Sequence, residues 1–329
     1  MLTVNDLPPI PGKKEGYPWT EGSSPGNNAY SRSNLPKISI ITPSYNQSKY
    51  IEETIRSVLL QGYPNLEYII IDGGSTDETV EIIRKYDQYI TYWVSEPDRG
   101  QTHALNKGIK KVTGEIFTFI NSDDLLAANA LYRVAEHFRS NPSTWALYGG
   151  HTEIDQWGNA IQSFKPHKKL SWKDLALGKT YQPQPGAFWR TSVFQKTGTF
   201  REDLHYFFDQ EFFIRLLMHY KIESTEGPLA YARIHGDAKT QSSSLRWSQE
   251  MYTERFKLLK LAESHPLRRL MAYRYLRLNF LRSTIHIKEI DFSERLKNIF
   301  NYPIFLTSPL ALKMLFRCDL KTKAEVNQS

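Results

Sequence analysis

Cysteine is almost absent from this sequence: Cys318 is the only one among 329 residues. A single thiol excludes an intramolecular disulfide, and no basic-then-apolar segment of the secretory type precedes Gly12. No uncharged apolar stretch of about 18 residues occurs either, so a membrane-spanning helix is not expected. We therefore expect a cytoplasmic protein.

Two glycine motifs for phosphate binding are also missing. No GxGxxG follows the first predicted strand, and GxxxxGK[ST] occurs nowhere in the chain. These absences disfavour a dinucleotide fingerprint and a Walker-type phosphate loop.

The chain divides into three regions by composition. Residues 1–36 are rich in Pro, Gly, Ser and Asn, which predicts an irregular leader that builds no core. Residues 37–244 alternate short β-branched runs with amphipathic helices, which predicts an α/β domain with a mainly parallel sheet. We expect a nucleotide-binding half over 37–125 and an acceptor half over 126–244. Residues 245–329 predict a helical C-terminal extension.

Four predicted strands end in polar loops. They span Ile38–Thr42, Leu66–Ile71, Ile90–Val94 and Ile116–Ile120. After the second strand, Ser75 and Glu78 have the spacing of a capping box, which predicts a helix start. Because the carboxyl ends of parallel strands line the ligand crevice of an open α/β sheet, these loops are expected to form one site.

The fourth strand runs directly into an acidic pair, Asp123 and Asp124. Two adjacent carboxylates in a crevice repel each other, and a divalent cation shared with a substrate phosphate would relieve that repulsion. The alternative is a helix start with Ser122 or Asp123 as N-cap.

Asp72 ends the second strand beside Gly73 and Gly74. The glycines let the backbone approach a flat ligand closely, and the carboxylate can accept hydrogen bonds from a uracil or thymine imide or from a ribose. A structural aspartate that caps the turn is the alternative.

Four motifs in fixed order then carry a family resemblance. They are TPSYN at 42–46, IIDGGSTDET at 70–79, SEPDRGQTHALNKGI at 95–109 and NSDD at 121–124. Together they resemble the family 2 inverting glycosyltransferases, which implies a GT-A fold: a Rossmann-like, mainly parallel mixed sheet flanked by helices. The resemblance extends over about 200 residues, from Lys37 to His235.

The resemblance implies a set of donor-side roles. Thr42, Pro43 and Tyr45 would border the nucleotide base, and Asp72 would hydrogen-bond it. Asp123 would contact the ribose region, and Asp124 would ligate Mg²⁺ or Mn²⁺ on the diphosphate. The residues that would lie near the ribose, diphosphate or donor sugar are Glu96, Asp98 and Asn106. Because NSDD departs from the DxD spelling, either acid can be the metal ligand. For the last three residues, loop caps and a surface helix are the alternative.

The segment HYFFDQEFFIRL resembles the one in which the family carries its general base. That resemblance implies that Asp209 is the base, although Phe208 stands where the family usually has glutamate. A carboxylate at the start of a helix can take the proton of an attacking acceptor hydroxyl. Glu211 is the competing candidate.

Two further segments are candidates for substrate contacts. Gln184, Gly186 and Trp189 in PQPGAFWR resemble the family's acceptor side, although the tryptophan is equally consistent with a core position. Arg233 can clamp a phosphate, and His235 can supply a metal or diphosphate contact. A structural histidine is the alternative.

The net charge of +7 belongs to the C-terminal region, because residues 245–329 hold 16 Lys and Arg against 8 Asp and Glu. Arginines alternate there with leucine and aromatic residues. Such helices can lie on an anionic membrane surface, which would suit a lipid-linked acceptor and a peripheral location on the inner face of the membrane. Alternatively, they pack on the catalytic domain or on a second subunit of a homo-oligomer. No recognised motif supports nucleic-acid binding.

The function expected from these observations is metal-dependent, inverting transfer of a hexose. The donor would be a UDP- or dTDP-type nucleotide sugar and the acceptor a glycan or lipid-linked hydroxyl, in cell-surface polysaccharide synthesis. A nucleotidyltransferase is the alternative enzyme, but TPSYNQS lacks the Gly-rich basic loop that it needs. A non-catalytic nucleotide- or glycan-binding module is the third interpretation.

Overall fold

The structure is a computed structural model that describes residues 2–23, 34–236 and 244–284. The chain divides into two compact units, Met1–Ser242 and Ser243–Ser329, which are treated separately below. Cys318 and the later part of the predicted basic extension lie outside the described residues.

The strands of the first unit form two sheets within the described ranges. They are β1 (Ile38–Ser44), β2 (Leu66–Asp72), β3 (Tyr92–Ser95), β4 (Ile116–Phe119), β5 (Leu125–Leu126), β6 (Ala146–Tyr148), β7 (His151–Ile154), β8 (Ala160–Phe164), β9 (Ala187–Arg190), β10 (Ile222–Ser224) and β11 (Ala230–Arg233). The large sheet has the order β10-β6-β9-β4-β1-β2-β3, and the small one has the order β5-β11-β7-β8.

The large sheet is mainly parallel. Strand β1 pairs in parallel with both β2 and β4, and β3 continues the parallel half, whereas β9 runs antiparallel between β4 and β6. The mixed, mainly parallel sheet confirms the predicted fold class. In the small sheet β7 and β8 form an antiparallel hairpin, and Gly158 and Asn159 lie in its turn.

Helices surround the large sheet. They are α1 (Ile51–Leu59), α2 (Thr79–Lys85), α3 (Gln101–Ile109), α4 (Ala130–Ser140), α5 (Trp172–Ala176), α6 (Phe194–Thr197) and α7 (Phe208–His219). Ile40 of β1 joins the core cluster with Ile55 of α1, whereas the neighbouring Ile41 lies against Gly108 of α3. Both faces of β1 are therefore covered, which explains why all seven of its residues are buried.

The described residues of the leader pack on α1 and the core of the first unit. Leu7 and Trp19 are buried, and the fully buried guanidinium of Arg56 on α1 donates to the backbone carbonyls of Pro8, Pro18 and Trp19. The described residues of the segment include one short 3-10 helix, Val4–Asp6, and they supply core side chains. A Pro- and Gly-rich segment can do so because its carbonyls, free of secondary structure, satisfy a buried cation.

The second unit contains α8 (Ser244–Ala262) and α9 (Pro266–Thr284), which lie in the region predicted as a helical extension. Pro266 opens α9 at a position where its missing N–H costs no hydrogen bond. The rings of Tyr252 and Phe280 lie 5.2 Å apart, which pairs the two helices in antiparallel fashion. Within the described ranges, no helix is long and apolar enough to cross a bilayer.

Candidate active site

The carboxyl ends of three parallel strands meet at one edge of the large sheet. Ser44 of β1 pairs with Asp72 of β2, and Asp72 pairs with Ser95 of β3. This register brings the loops after the first three strands together, as the order of polar loops predicted.

Asp72 organises these loops from a fully buried position. Its Oδ1 accepts a hydrogen bond from Ser75 Oγ at 2.5 Å, and its Oδ2 accepts from the N–H groups of Gly74 and Ser75 and from Ser95 Oγ at 2.6 Å. Both oxygens therefore bind protein donors, which matches the turn-and-cap alternative. The capping-box prediction is wrong, because the Ser75 hydroxyl donates to Asp72 and α2 begins at Thr79.

The other predicted base contacts divide by exposure. Thr42 and Pro43 are buried inside β1, and the Thr42 hydroxyl lies 3.1 Å from Tyr68 Oη. Tyr45, just beyond the strand, is 60% exposed. Of the three, only the Tyr45 ring is presented to a ligand at the strand ends.

Gly73 and Asp98 lie together. A Cβ on Gly73 would stand 2.7 Å from Asp98 Oδ2, so only glycine lets the carboxylate approach this closely. The other oxygen of Asp98 accepts the Gly100 N–H at 2.7 Å. The nearby Glu96 forms an ion pair with Lys107 at 2.9 Å, which lowers the pKa of Glu96.

Asn106 was expected to contact the donor sugar nucleotide, but its side chain hydrogen-bonds with another part of the protein. It is buried, its Nδ2 donates to Phe200 O at 2.8 Å, and its Oδ1 accepts the Phe200 N–H at 3.1 Å. Because both ends of the amide bind one backbone residue, the side chain anchors the loop before α7 to α3. The expected contact to the donor is replaced by this structural role.

The two acids of NSDD face different surroundings. Asp124 is 5% exposed, its Oδ1 accepts the Arg233 N–H at 2.9 Å, and its Oδ2 accepts Asn121 Nδ2 at 3.0 Å. Burial, together with the charge of Asp123, raises the pKa of Asp124 to about 8. The side chain of Asp123 is 19% exposed and accepts the imidazole N–H of His235 at Nε2, 3.0 Å away.

The residues around Asp123 fit a divalent cation in chemistry. His235 is 6% exposed, its ring packs 4.6 Å from the ring of Tyr50, and its Nδ1 is buried without a hydrogen-bond partner. Across the described ranges, no three His, Cys, Asp or Glu side chains form a metal-binding cluster on their own. A hard cation prefers oxygen ligands, so the oxygens of a bound diphosphate would complete such a site.

Arg233 holds the site together and is not presented to a phosphate. Its Nε donates to Asp123 O at 2.9 Å, its Nη1 donates to Asp155 O at 3.2 Å, and its Nη2 lies 3.0 Å from Glu53 Oε2. The side chain is fully buried. The predicted phosphate clamp is therefore corrected to a buried link between the acidic pair, α1 and the β7–β8 turn.

Asp209 lies in the first turn of α7. Phe208 beside it packs 6.2 Å from the ring of Phe119, which ends β4 four residues before Asp123. The N–H of Gln210 donates to Asp209 Oδ1 at 2.7 Å. The positive end of the helix dipole stabilises a carboxylate at this position.

Glu211, the competing base, is paired with a cation. Arg215 reaches both of its carboxylate oxygens, Nε to Oε1 at 2.7 Å and Nη2 to Oε2 at 2.8 Å, and Glu211 is 7% exposed. A bidentate, largely buried ion pair holds this carboxylate away from proton transfer. This ion pair disfavours Glu211 as the base.

The predicted acceptor segment bridges β4 and α7. Gln184 is 4% exposed and donates to Phe119 O at 2.7 Å, while Gly186 at φ +89° accepts the Gly149 N–H. Trp189 is 1% exposed within a cluster of phenylalanines that includes Phe212. Its aromatic neighbours make it a core residue, so it is not available to stack on a sugar.

Some site-building residues had no signal in the sequence. The side chain of Gln210 binds the backbone of Gln182 at both its N–H and its carbonyl, which fixes the acceptor segment to the helix that carries Asp209. Ser95, the partner of Asp72, is separated from it by 23 residues. Such long-range pairs follow from strand register, which a single sequence does not reveal.

Comparison with known proteins agrees with the sequence motifs. A family model described as glycosyl transferase family 2 matches residues 39–198. An uncharacterized glycosyltransferase of Rickettsia typhi is 31% identical over 221 residues, which cover 65% of this chain and 69% of the relative. An uncharacterized glycosyltransferase of Haemophilus influenzae is 34% identical over 152 residues, which cover 45% of this chain and 60% of the relative.

Solved structures share the fold. TarS of S. aureus superposes with a TM-score of 0.60 at 19% sequence identity, over 85% of this chain and 50% of that one. A shorter TarS chain in complex with UDP-GlcNAc superposes with a TM-score of 0.59 at 20% sequence identity, over 80% of this chain and 80% of that one. The mannosyltransferase PcManGT of Pyrobaculum calidifontis, in complex with GDP-Man and Mn²⁺, superposes with a TM-score of 0.55 at 18% sequence identity. The match covers 93% of this chain and 84% of that one. The sequence motifs, the sheet and these relatives together show that this chain is a GT-A glycosyltransferase of family 2.

Proposed function

We propose that the protein is a metal-dependent, inverting hexosyltransferase that uses a UDP- or dTDP-type nucleotide sugar. The acceptor would be the hydroxyl of a glycan or lipid-linked sugar, in cell-surface polysaccharide synthesis. The observation that carries the proposal is the contact of Phe208 with Phe119, which holds the start of α7 against the strand that leads to the acidic pair. The complexes of TarS with UDP-GlcNAc and of PcManGT with GDP-Man and Mn²⁺ support it.

In the proposed reaction Asp209 accepts the proton of the acceptor hydroxyl. The acceptor oxygen uses an electron pair to form the new bond to the anomeric carbon. The bond from that carbon to the diphosphate oxygen breaks, and the nucleoside diphosphate leaves with the electrons of that bond. A single displacement inverts the anomeric centre and requires no enzyme nucleophile. The N–H of Gln210 donates to Oδ1 of this carboxylate in the first turn of α7, which orients the side chain.

Asp123 and His235 are the residues that we propose hold the cation. Asp123 is the more exposed acid, and His235 carries the buried nitrogen without a partner. Bound there, Mg²⁺ or Mn²⁺ would neutralise the charge of the departing diphosphate. Asp124, hydrogen-bonded to the backbone of Arg233, would then keep the acidic loop in place.

Donor binding and turnover test this proposal directly. We expect UDP- or dTDP-sugars with Mn²⁺ to raise the melting temperature, because a ligand that binds only the folded state stabilises it by mass action. We also expect slow release of the nucleoside diphosphate in the presence of Mn²⁺, lost on addition of EDTA. Release of pyrophosphate from a nucleoside triphosphate and a sugar phosphate would instead indicate a nucleotidyltransferase. Nucleotide-sugar binding with no release of the diphosphate would indicate a binding module.

We also propose that α9 lies on an anionic membrane surface. Its 19 residues include five arginines and no acidic residue. The outward side chains of Leu267, Leu270 and Met271 are 61%, 44% and 55% exposed. Apolar residues exposed among arginines are typical of helices in the headgroup region of anionic membranes.

Vesicle flotation tests this surface. We expect the full chain to float with vesicles of phosphatidylglycerol and phosphatidylcholine at low salt, and to remain unbound with phosphatidylcholine alone. The double substitution Leu267→Ser and Met271→Ser should reduce the bound fraction several-fold, whereas Leu261→Ser on α8 should not. Equal flotation of both variants would contradict a role for α9. A concentration-dependent dimer without lipid binding would favour the subunit-contact alternative.

A further inference from the structure

The turn between β7 and β8 is rigid and carries a tryptophan at its tip. Asp155 Oδ1 accepts the N–H groups of Trp157 and Asn159, both at 2.9 Å, and its Oδ2 accepts Asn159 Nδ2 at the same distance. Gly158 follows at φ +93°, a conformation that suits glycine. The turn therefore fixes where the backbone of Trp157 stands.

The indole of Trp157 is 76% exposed. No other large apolar side chain in the described ranges is exposed to this extent, and every residue of β8 behind it is exposed too. The side chain hence adds little to the core. A large aromatic ring held in water on a rigid turn is a typical feature of a binding surface.

The same turn is tied to the active site through one side chain. Arg233 Nη1 donates to the carbonyls of Asp155 and Gln156 at 3.2 and 3.3 Å, while its Nε donates to the carbonyl of Asp123. A Cβ on Gly158 would stand 3.6 Å from Glu53 Oε1, the carboxylate that pairs with Arg233. One buried guanidinium thus spans the distance between the tip and the acidic pair.

We propose that Trp157 is a stacking platform for a pyranose ring of an oligosaccharide acceptor. The inference rests on the proposed transferase function and specifies its acceptor as a chain of several sugars. The C–H face of a pyranose is apolar and carries partial positive charge, which complements the negative face of an indole. A ring bound there would be an outer sugar of the chain, while the reacting hydroxyl lies near Asp209.

The residues around Trp157 favour a sugar over a bilayer. Asp155, Gln156 and Asn159 are the polar residues of the same turn. Insertion of the indole into a membrane would carry these polar groups out of water at a cost in free energy. A hydroxyl-rich ligand can instead hydrogen-bond with them.

Fluorescence titration of the full chain tests the stacking. The probes are maltotetraose, cellotetraose and chitotetraose, each in the presence of UDP and Mn²⁺. We expect at least one to quench or blue-shift the emission of the wild type, and the change to be lost in Trp157→Phe, which removes the reporter. With that sugar as acceptor, Trp157→Ala should raise KM about five- to tenfold with little change in kcat. Trp157→Phe should retain most of the affinity.

Ile161→Ala is the matched control, because Ile161 is 57% exposed on the same hairpin but has no ring. Its KM should equal that of the wild type, and melting temperatures should show that all variants are folded. Three results would overturn the proposal: no tetrasaccharide perturbs Trp157, Ile161→Ala raises KM as much as Trp157→Ala, or only vesicles shift the emission. Failure of the wild type to release nucleoside diphosphate would count against the transferase itself, since the titration requires no turnover.

Discussion

Asp209→Asn should lower the rate of sugar transfer by a factor of about 10²–10⁴, the usual contribution of a positioned general base. The amide keeps the shape of the side chain and can still accept the Gln210 N–H that Asp209 Oδ1 accepts at 2.7 Å. It cannot accept the proton of the acceptor hydroxyl. Affinity for UDP, measured by titration calorimetry, should therefore stay close to that of the wild type while the initial transfer rate collapses.

Glu211→Gln is the matched control for that experiment, two residues further along the same helix. Loss of this charge breaks the bidentate pair with Arg215 and leaves a partly buried cation without its partner. We expect a lower melting temperature and a transfer rate within about tenfold of the wild type among the molecules that remain folded. Retained turnover in Asp209→Asn together with its loss in Glu211→Gln would assign the base to Glu211.

The sequence was informative about which segments form the sheet edge and less so about what each side chain does there. Largely β-branched segments such as Ile38–Thr42 are covered on both faces, and that coverage is typical of a parallel α/β sheet. Polar residues directly after such runs have to lie at the carboxyl edge. The fold class and the convergence of the loops follow from these two local facts.

Side-chain roles depended on contacts that local patterns do not specify. Asp72 and Arg233 are the residue types that bind nucleotides and phosphates, yet both are buried and hydrogen-bonded to the protein. Their partners come from strands and loops far away in the sequence. For this reason a motif identifies the position of a functional loop more reliably than the atom in it that touches the ligand.

The leader is a second case in which composition does not predict which contacts a segment makes. Its composition predicts an irregular segment that builds no core, but the fully buried Arg56 binds three of its carbonyls. No periodicity in residues 1–36 announces this arrangement, because backbone carbonyls are present in every sequence. The information lies in Arg56, a cation on the apolar face of α1 that requires acceptors wherever it is buried.

The two acids of NSDD should differ sharply when each is replaced by its amide. Asp123→Asn removes the more exposed carboxylate beside His235, so we expect transfer to fall on the order of 100-fold or more and half-maximal activity to require much more Mn²⁺. Asp124→Asn should have the smaller effect, about tenfold. Burial and Asp123 already raise the pKa of Asp124, so a neutral group suits its surroundings, and an amide oxygen can still accept the Arg233 N–H.

Metal dependence of the donor-hydrolysis rate, with water as acceptor, separates the two acids without any knowledge of the natural acceptor. Mn²⁺ titrations of both variants should show a large shift for Asp123→Asn and a small one for Asp124→Asn. The melting temperature without metal should fall in neither variant, because the amide oxygens can still accept the protein hydrogen bonds from Arg233 and His235. The reverse order of Mn²⁺ requirements would make Asp124 the ligand, and it would mean that the Asn121–Asp124 loop rearranges when the nucleotide binds, since both oxygens of Asp124 accept protein hydrogen bonds.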